Sequence, residues 1–129
     1  MLRMIVIALM CMSLQGAEIA WHKSYAAATE AAKKSKKPML VYMYSDCGAC
    51  KYIDTKVIVD AKIADYINKH FIPVSLSPKN DAPKTLQVAV TPVFHYVNAD
   101  GKLIQDDTIG ATTVSSFLQD MKMAVNESK

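Results

Sequence analysis

The sequence predicts an α/β fold in which helices cover both faces of a mixed sheet of about four strands. The first observation is the apolar run "MLVYMY" at residues 39–44, in which apolar and polar residues do not alternate. Such a run is typical of a central strand that is buried on both faces. The second observation is that helical segments separate this strand from the later ones, until two strands follow each other in a hairpin. The predicted order is therefore α, β, α, β, α, β, β, α.

The first half of the chain contains three predicted helices around the central strand. Residues 24–37 are rich in alanine, begin at Ser24 as a helix N-cap and end before Pro38. A second helix is predicted over residues 47–58, directly after the central strand, and it is interrupted near its end. A third helix follows over residues 60–70, where the aspartate at the first position is a favourable N-cap.

The second half of the chain completes the predicted sheet. Residues 71–77 form the second strand, and a short helix is predicted over residues 85–89. Two further segments, residues 92–97 and 102–107, flank the turn sequence "NADG" and predict a β-hairpin. Residues 112–125 have apolar side chains at helical spacing, so the chain is expected to end in an amphipathic helix.

The N-terminus has the layout of a secretory signal peptide. One early cation, Arg3, precedes an apolar segment over residues 4–14, and two small residues follow it. The apolar segment is shorter than the ~20 residues that a helix needs to span a bilayer, which favours a cleaved signal over a retained membrane anchor. We therefore predict a signal peptide over residues 1–17 and one folded domain over residues 18–129.

Export would place the protein in the periplasm or outside the cell, where disulfides persist. The sequence has three cysteines, and cleavage of the predicted signal would remove Cys11 and leave Cys47 and Cys50. The formal net charge is +3, and the basic residues form no stripe of the kind that nucleic-acid binding requires. No nucleic-acid partner is therefore expected.

Two sequence stretches resemble a known family. They are "KKPMLVYMYSDCGACK", residues 36–51, and "AVTPVFHYVNADGKLI", residues 89–104, and Gly110 stands before the last predicted helix. A C-x-x-C pair between a strand and a helix, followed later by a Thr-Pro that opens a strand, resembles the thioredoxin-fold family. Within that family the chain is similar to small exported thioredoxin-like thiol:disulfide interchange proteins and to the periplasmic C-terminal domain of the transporter DsbD. The resemblance covers roughly residues 19–125, and it implies a thioredoxin fold and thiol–disulfide oxidoreductase activity.

The position of the C-x-x-C pair at the start of a helix explains its expected chemistry. Cys47 and Cys50 are three residues apart and lie on one face of the first turn, close enough for a redox-active disulfide. Unpaired amides and the positive end of the helix dipole stabilise a thiolate at Cys47. Cys47 is therefore the predicted nucleophile, which forms a mixed disulfide with a substrate. Cys50 is the predicted resolving thiol, which closes the protein disulfide and frees the product.

The resemblance also implies a substrate-binding segment. In the similar proteins a cis-proline lies beside the disulfide, and the residue before it pairs with an incoming peptide as an added strand. This role falls on Thr91 and Pro92. Thioredoxins also have a buried aspartate six residues before the first active-site cysteine, where it assists proton transfer at the resolving thiol. That position is Val41 in this chain, so the replacement for the acid is an open question.

Other uses of the cysteine pair remain open at the level of sequence. A purely structural disulfide across so short a loop would add only roughly 2 kcal/mol of stability. Zinc would need four ligands, and the histidines that could join the pair, His22, His70 and His95, are not at zinc-finger spacing. Copper(I) needs only two thiolates, so a periplasmic Cu(I)-binding carrier is the alternative from another functional class. An oxidant or isomerase with the same fold is the alternative within the class.

The prediction from sequence is an exported thiol–disulfide oxidoreductase that acts as a reductant of protein or small-molecule disulfides. Gly48 and Ala49, between the cysteines, provide no charge or imidazole that would strongly stabilise the thiolate. No cofactor and no metal ion are expected. The expected partners are a disulfide-containing protein or thiol substrate and an upstream redox partner such as a membrane thiol-reductant transporter. The predicted elements leave no dimerisation segment, so a monomer is expected.

Overall fold

The structure is a computed structural model that describes residues 18–79 and 82–129. The predicted signal peptide, residues 1–17 with Cys11, lies outside the described residues. The elements in chain order are α1 (Tyr25–Ser35), β1 (Met39–Met43), α2 (Gly48–Tyr52), a π-helical turn (Ile53–Val57), α3 (Ala61–His70), β2 (Ile72–Leu76), a 3-10 turn (Lys84–Leu86), β3 (Val93–Val97), β4 (Thr108–Ile109) and α4 (Val114–Glu127).

The four strands form one mixed sheet in the order β2-β1-β3-β4. The first strand, β1, pairs in parallel with β2 and antiparallel with β3, while β4 pairs antiparallel with β3 at the edge. All five residues of β1 are buried, because it lies between two strands and under helices on both faces. The prediction of a central strand in a mixed α/β sheet is therefore confirmed.

The alternation of side chains along the strands creates two cores. Leu40, Tyr42 and Phe94 point to one face, where they pack against the π-helical turn, α3 and α4. Met39, Val41 and Met43 of β1 point to the other face, where they pack against α1 and Leu86. Helices thus cover both faces of the sheet, as the sequence predicted.

The predicted helix starts are confirmed at two caps. The hydroxyl of Ser24 accepts a hydrogen bond from the Ala27 amide at 3.3 Å, and the Asp60 carboxylate accepts one from the Lys62 amide at 2.9 Å. The helix after the cysteines differs from the prediction, since its second half is a π-helical turn in which the Ile58 amide donates to Ile53 O at 3.0 Å. This wider turn ends the helix shortly before α3.

The predicted second strand of the hairpin, residues 102–107, is wrong. Only Leu103 of that segment forms a β-bridge, with Val97, and regular pairing resumes in β4. Polar side chains explain the difference, because Gln105 donates to the Asp120 carbonyl of α4 at 2.8 Å and Asp107 is hydrogen-bonded to a β3 side chain. These contacts replace regular ladder pairing after Ile104, whose amide still donates to Tyr96 O of β3 at 2.8 Å. The predicted short helix over residues 85–89 is likewise only the 3-10 turn.

Within the part of the chain that the structure describes, no helix has the length and apolar character needed to cross a membrane.

Candidate active site

Cys47 and Cys50 form a disulfide at the junction between β1 and α2, with their Cα atoms 5.1 Å apart. Cys47 is the N-cap of α2 and has extended backbone geometry, so its side chain faces the unpaired amides of the first turn. The Cys50 amide donates a hydrogen bond to Cys47 Sγ at 3.0 Å. This bond would stabilise a thiolate on Cys47 in the reduced protein.

The two sulfurs differ in their access to solvent. Cys50 is only 1% exposed, because the first turn of α2 directs it towards the core, whereas Cys47 is half-buried. A partner molecule can therefore approach Cys47 first, and Cys50 can react only within the protein.

The Thr91–Pro92 segment lies directly against the disulfide. Its peptide bond is cis, and the carbonyl oxygen of Thr91 lies 3.7 Å from Cys47 Sγ. Pro92 is buried, and its carbonyl accepts a hydrogen bond from the Gly110 amide at 2.8 Å, which attaches the segment to the end of β4. The structure thus brings together all four site residues predicted from the sequence, Cys47, Cys50, Thr91 and Pro92.

Ser45 also belongs to the site, although it was not among the residues predicted from the sequence. Its hydroxyl oxygen lies 2.6 Å from Thr91 Oγ1 and 4.0 Å from Cys50 Sγ. The available sequence signal was weak, namely a hydroxyl residue two positions before Cys47 in the loop after a buried strand. Its partner Thr91 is 46 residues away in the sequence, so only the packing of the strands reveals the contact.

The position of the missing acid is apolar and fully buried. Val41 is 0% exposed and packs among the side chains of β1, β2 and α1. The nearby Asp54 is occupied elsewhere, since it accepts a hydrogen bond from the Tyr42 hydroxyl at 2.9 Å. Burial first, and then the contact with Asp54, raises the pKa of Tyr42 well above its ordinary value, so Tyr42 stays protonated as the donor.

An open pocket of about 530 Å³ lies beside the loop that precedes the disulfide, with Ser45 and Asp46 in its wall. Its wall includes the partly exposed ring of Tyr44, which belongs to an aromatic group with Tyr42 and Trp21. The pocket also has charged side chains of both signs, Asp46 and Lys79 among them. Both apolar and polar surface therefore lies next to the residues that precede Cys47.

The histidines occupy structural positions. His95 on β3 is hydrogen-bonded through Nδ1 to Asp107 at 2.8 Å and through Nε2 to the Leu86 carbonyl at 2.9 Å, which confirms its interpretation as a partnered sheet residue. His70 stacks on Tyr66, with ring centroids 4.3 Å apart. In residues 18–79 and 82–129, no three side chains of the metal-binding types lie together as a candidate site.

Known proteins share the family and the fold of this chain. A family model described as thioredoxin-like matches residues 20–100. A thioredoxin from Thermus thermophilus superposes with a TM-score of 0.74 at 21% identity, covering 86% of this chain and 90% of its own. The oxidised DsbD C-terminal domain of Neisseria meningitidis gives a TM-score of 0.67 at 17% identity, covering 81% of this chain and 99% of its own.

A third solved structure has a higher sequence identity. A candidate disulphide isomerase from Bacteroides thetaiotaomicron superposes with a TM-score of 0.72 at 26% identity, covering 86% of this chain and 96% of its own. A search of curated protein sequences found no match.

Proposed function

The chain belongs to the thioredoxin-like family, and on that premise we propose that this thiol–disulfide oxidoreductase is exported and reduces disulfides in proteins or small molecules. The observation that supports the proposal best is the disulfide between a half-buried Cys47 and a buried Cys50. A structural disulfide has no need of one accessible sulfur, whereas a redox pair needs one sulfur to meet the partner and one to resolve the intermediate.

The two cysteines have different roles in the proposed reaction. In the reduced protein, the Cys47 thiolate attacks a substrate disulfide, forms a bond to one substrate sulfur and releases the other as a thiolate. Cys50 then attacks Cys47 Sγ, which restores the protein disulfide and releases the remaining substrate sulfur. Each cycle moves two electrons from the protein to the substrate, and an upstream thiol donor must return them.

The proposed direction of electron flow depends on how strongly the protein stabilises the reduced form. Cys47 has one amide donor, and neither Gly48 nor Ala49 adds a charge. A helix terminus contributes about 0.3–1 kcal/mol, which corresponds to less than about one pKa unit. Such modest stabilisation favours a potential near about −270 mV, the value of a reductant, over about −120 mV, the value of a strong oxidant.

Substrate binding is proposed at the Thr91–Pro92 segment. The Thr91 carbonyl lies beside Cys47 Sγ, at a position where an extended peptide could pair with it by main-chain hydrogen bonds. All of these groups come from one chain, so a monomer suffices for the reaction. The predicted signal peptide over residues 1–17 and the likeness to the DsbD domain support a periplasmic or secreted location and a membrane thiol-reductant transporter as the electron donor.

Trapping of covalent partners tests the proposed roles. A Cys50→Ser variant cannot resolve the mixed disulfide, so partners should accumulate as adducts on Cys47 that a reducing agent releases. Cys47→Ser is the matched control and should trap few partners, because the remaining thiol is buried. Equal trapping by both variants, measured by non-reducing electrophoresis and mass spectrometry, would contradict the assignment.

The redox potential tests the direction. The wild-type protein is equilibrated with a series of glutathione mixtures, and the reduced fraction is counted after alkylation. A potential near about −270 mV supports a reductant, whereas a value above about −180 mV would show that the protein works as an oxidant or isomerase.

A further inference from the structure

Resolution of the mixed disulfide requires a proton to leave the buried Cys50 thiol, and the position of the usual acid is occupied by Val41. Among the described residues, the side-chain partner of Cys50 Sγ is the hydroxyl of Ser45, at 4.0 Å. The Ser45 hydroxyl lies 2.6 Å from Thr91 Oγ1, which in turn lies 3.7 Å from Cys47 Sγ. Two hydroxyl groups therefore connect the buried sulfur with the accessible one.

We propose that Ser45 and Thr91 form a proton relay that takes the place of the buried carboxylate in the resolution step. A hydroxyl group both donates and accepts a hydrogen bond, so a chain of two hydroxyls can pass a proton along without holding a charge. The distances allow one consistent direction once the disulfide opens: the Cys50 thiol would donate to Ser45, Ser45 to Thr91, and Thr91 to a sulfur at Cys47.

The transfer balances in protons and electrons. In the mixed disulfide, the Cys50 thiol loses its proton to Ser45 Oγ while its sulfur electron pair forms the bond to Cys47 Sγ. The Ser45 hydroxyl passes its own proton to Thr91 Oγ1, and the Thr91 hydroxyl passes its proton to the departing substrate sulfur. That sulfur leaves with the electron pair of the broken bond, so the products are the protein disulfide and a neutral thiol.

The relay is needed because the Cys50 thiol is buried. Cys50 is 1% exposed, so water cannot readily accept its proton, and the reaction needs a group inside the protein. The position of Thr91 also places the end of the relay where the substrate sulfur must leave, beside Cys47. One residue would thus bind the substrate through its carbonyl and protonate the leaving thiol through its hydroxyl.

The test follows the lifetime of one mixed disulfide. Reduced protein is mixed rapidly with excess glutathione disulfide, quenched in acid, alkylated and analysed by mass spectrometry for glutathione on Cys47. Glutathione leaves as an alkyl thiolate and therefore benefits from a proton. The compared variants are Ser45→Ala, which removes the relay, Ser45→Thr, which keeps a hydroxyl, and Thr91→Val, which keeps the shape of the side chain. Ser35→Ala, a hydroxyl deletion on the exposed end of α1, serves as the control.

The relay predicts a specific pattern of rates. Ser45→Ala and Thr91→Val should each resolve the adduct about 100-fold more slowly than wild type at about pH 7, and Ser45→Thr should recover most of the rate. The deficit should shrink only as the pH rises beyond the ~8.5 of an ordinary thiol, because burial disfavours the Cys50 thiolate and hydroxide must then take its proton directly. If the hydrogen bond between Ser45 and Thr91 only stabilised the local structure, the loss of resolution rate in the variants would not change with pH.

Two results would overturn the relay. The first is a rate of adduct resolution in Ser45→Ala that is within about threefold of the wild-type rate at about pH 7. The second is a rate deficit in Ser45→Ala that stays constant over the pH range. The inference rests on the proposed function, and the Cys50→Ser variant separates the two failures. If that variant forms no glutathione adduct, the proposed function itself fails. If the adduct forms and Ser45→Ala resolves it at the wild-type rate, only the relay fails.

Discussion

Replacing His95 with phenylalanine tests how the loop that holds Thr91 is kept in place. His95 lies on β3, three residues after Pro92, and its ring is hydrogen-bonded to the Leu86 carbonyl at 2.9 Å and to Asp107 at 2.8 Å. These bonds fix the 3-10 turn before the loop and the segment before β4. The bond to the Leu86 carbonyl therefore ties the start of the loop over residues 87–91 to β3, the strand that follows the loop.

The magnitude follows from the two bonds. Phenylalanine has a similar size, so packing changes little, but the Leu86 carbonyl loses its buried partner at a cost of about 1–3 kcal/mol. Loss of the bond to Asp107 would cost about 1.5–3 kcal/mol if the carboxylate were fully buried. The Asp107 side chain is 23% exposed, so water replaces part of that bond. We expect the free energy of unfolding to fall by about 3 kcal/mol in total, or the melting temperature by about 12 °C.

The assay is urea unfolding followed by the fluorescence of the single tryptophan, Trp21, whose ring lies 5.7 Å from that of Tyr42. Amide hydrogen exchange over residues 87–91 should also become faster, because the loop loses its anchor. Tyr96→Phe is the matched control, since it removes one hydroxyl from the same strand, bonded to Thr108 at 2.6 Å, without touching the loop. A loss of less than about 1 kcal/mol in His95→Phe, or unchanged exchange in the loop, would refute this reasoning.

Three further perturbations have defined expected results. Ala49→His should raise the redox potential by about 30 mV in glutathione equilibration, because a neighbouring imidazolium lowers the pKa of the nucleophilic thiol by about one unit. The control Gly48→Ala should leave the redox potential unchanged, because its added Cβ meets nothing within 4 Å. Tyr42→Phe should lower the free energy of urea unfolding by about 1 kcal/mol, because the bond to Asp54 is lost; no loss would contradict this. Burial, and then neighbouring lysines, lower the pKa of His70, so the native protein binds fewer protons than the unfolded chain. The contribution of neutral His70 to wild-type stability should therefore be fully present above about pH 6.5 and should be lost as the pH falls through the lowered pKa. The melting temperature of His70→Gln should fall less over the same pH range. An equal fall in both proteins would exclude this linkage.

The elements with strong local signals could be predicted from the sequence. The apolar run of β1 required burial on both faces, and Ser24 and Asp60 are side chains that satisfy the first amides of a helix wherever they precede one. The segment over residues 102–107 could not be predicted, because its fate depends on tertiary hydrogen bonds. Its β-like pattern is overridden by the contact of Gln105 with the carbonyl of Asp120 in α4.

The residues of the candidate site also differ in how far the local sequence predicts them. Cys47 and Cys50 are close in sequence, so helix geometry alone placed their sulfurs within reach of each other. The segment at Thr91 and Pro92 was predicted as part of the site only through the family resemblance, because nothing in the local sequence places it beside the cysteines. Ser45 was not predicted as a site residue, since its role depends on a contact with Thr91, 46 residues away in the sequence.

The register between β1 and β3 explains why these distant residues meet. Met43, the last residue of β1, is paired with Val93, the first residue of β3. Because the two strands are antiparallel, the chain after β1 and the chain before β3 emerge at the same end of the sheet, which brings Ser45 and Cys47 against Thr91. A shift of one residue would turn every β3 side chain to the opposite face and separate His95 from its partners. The burial pattern that fixes the sheet therefore also fixes the two hydroxyls between the two sulfurs.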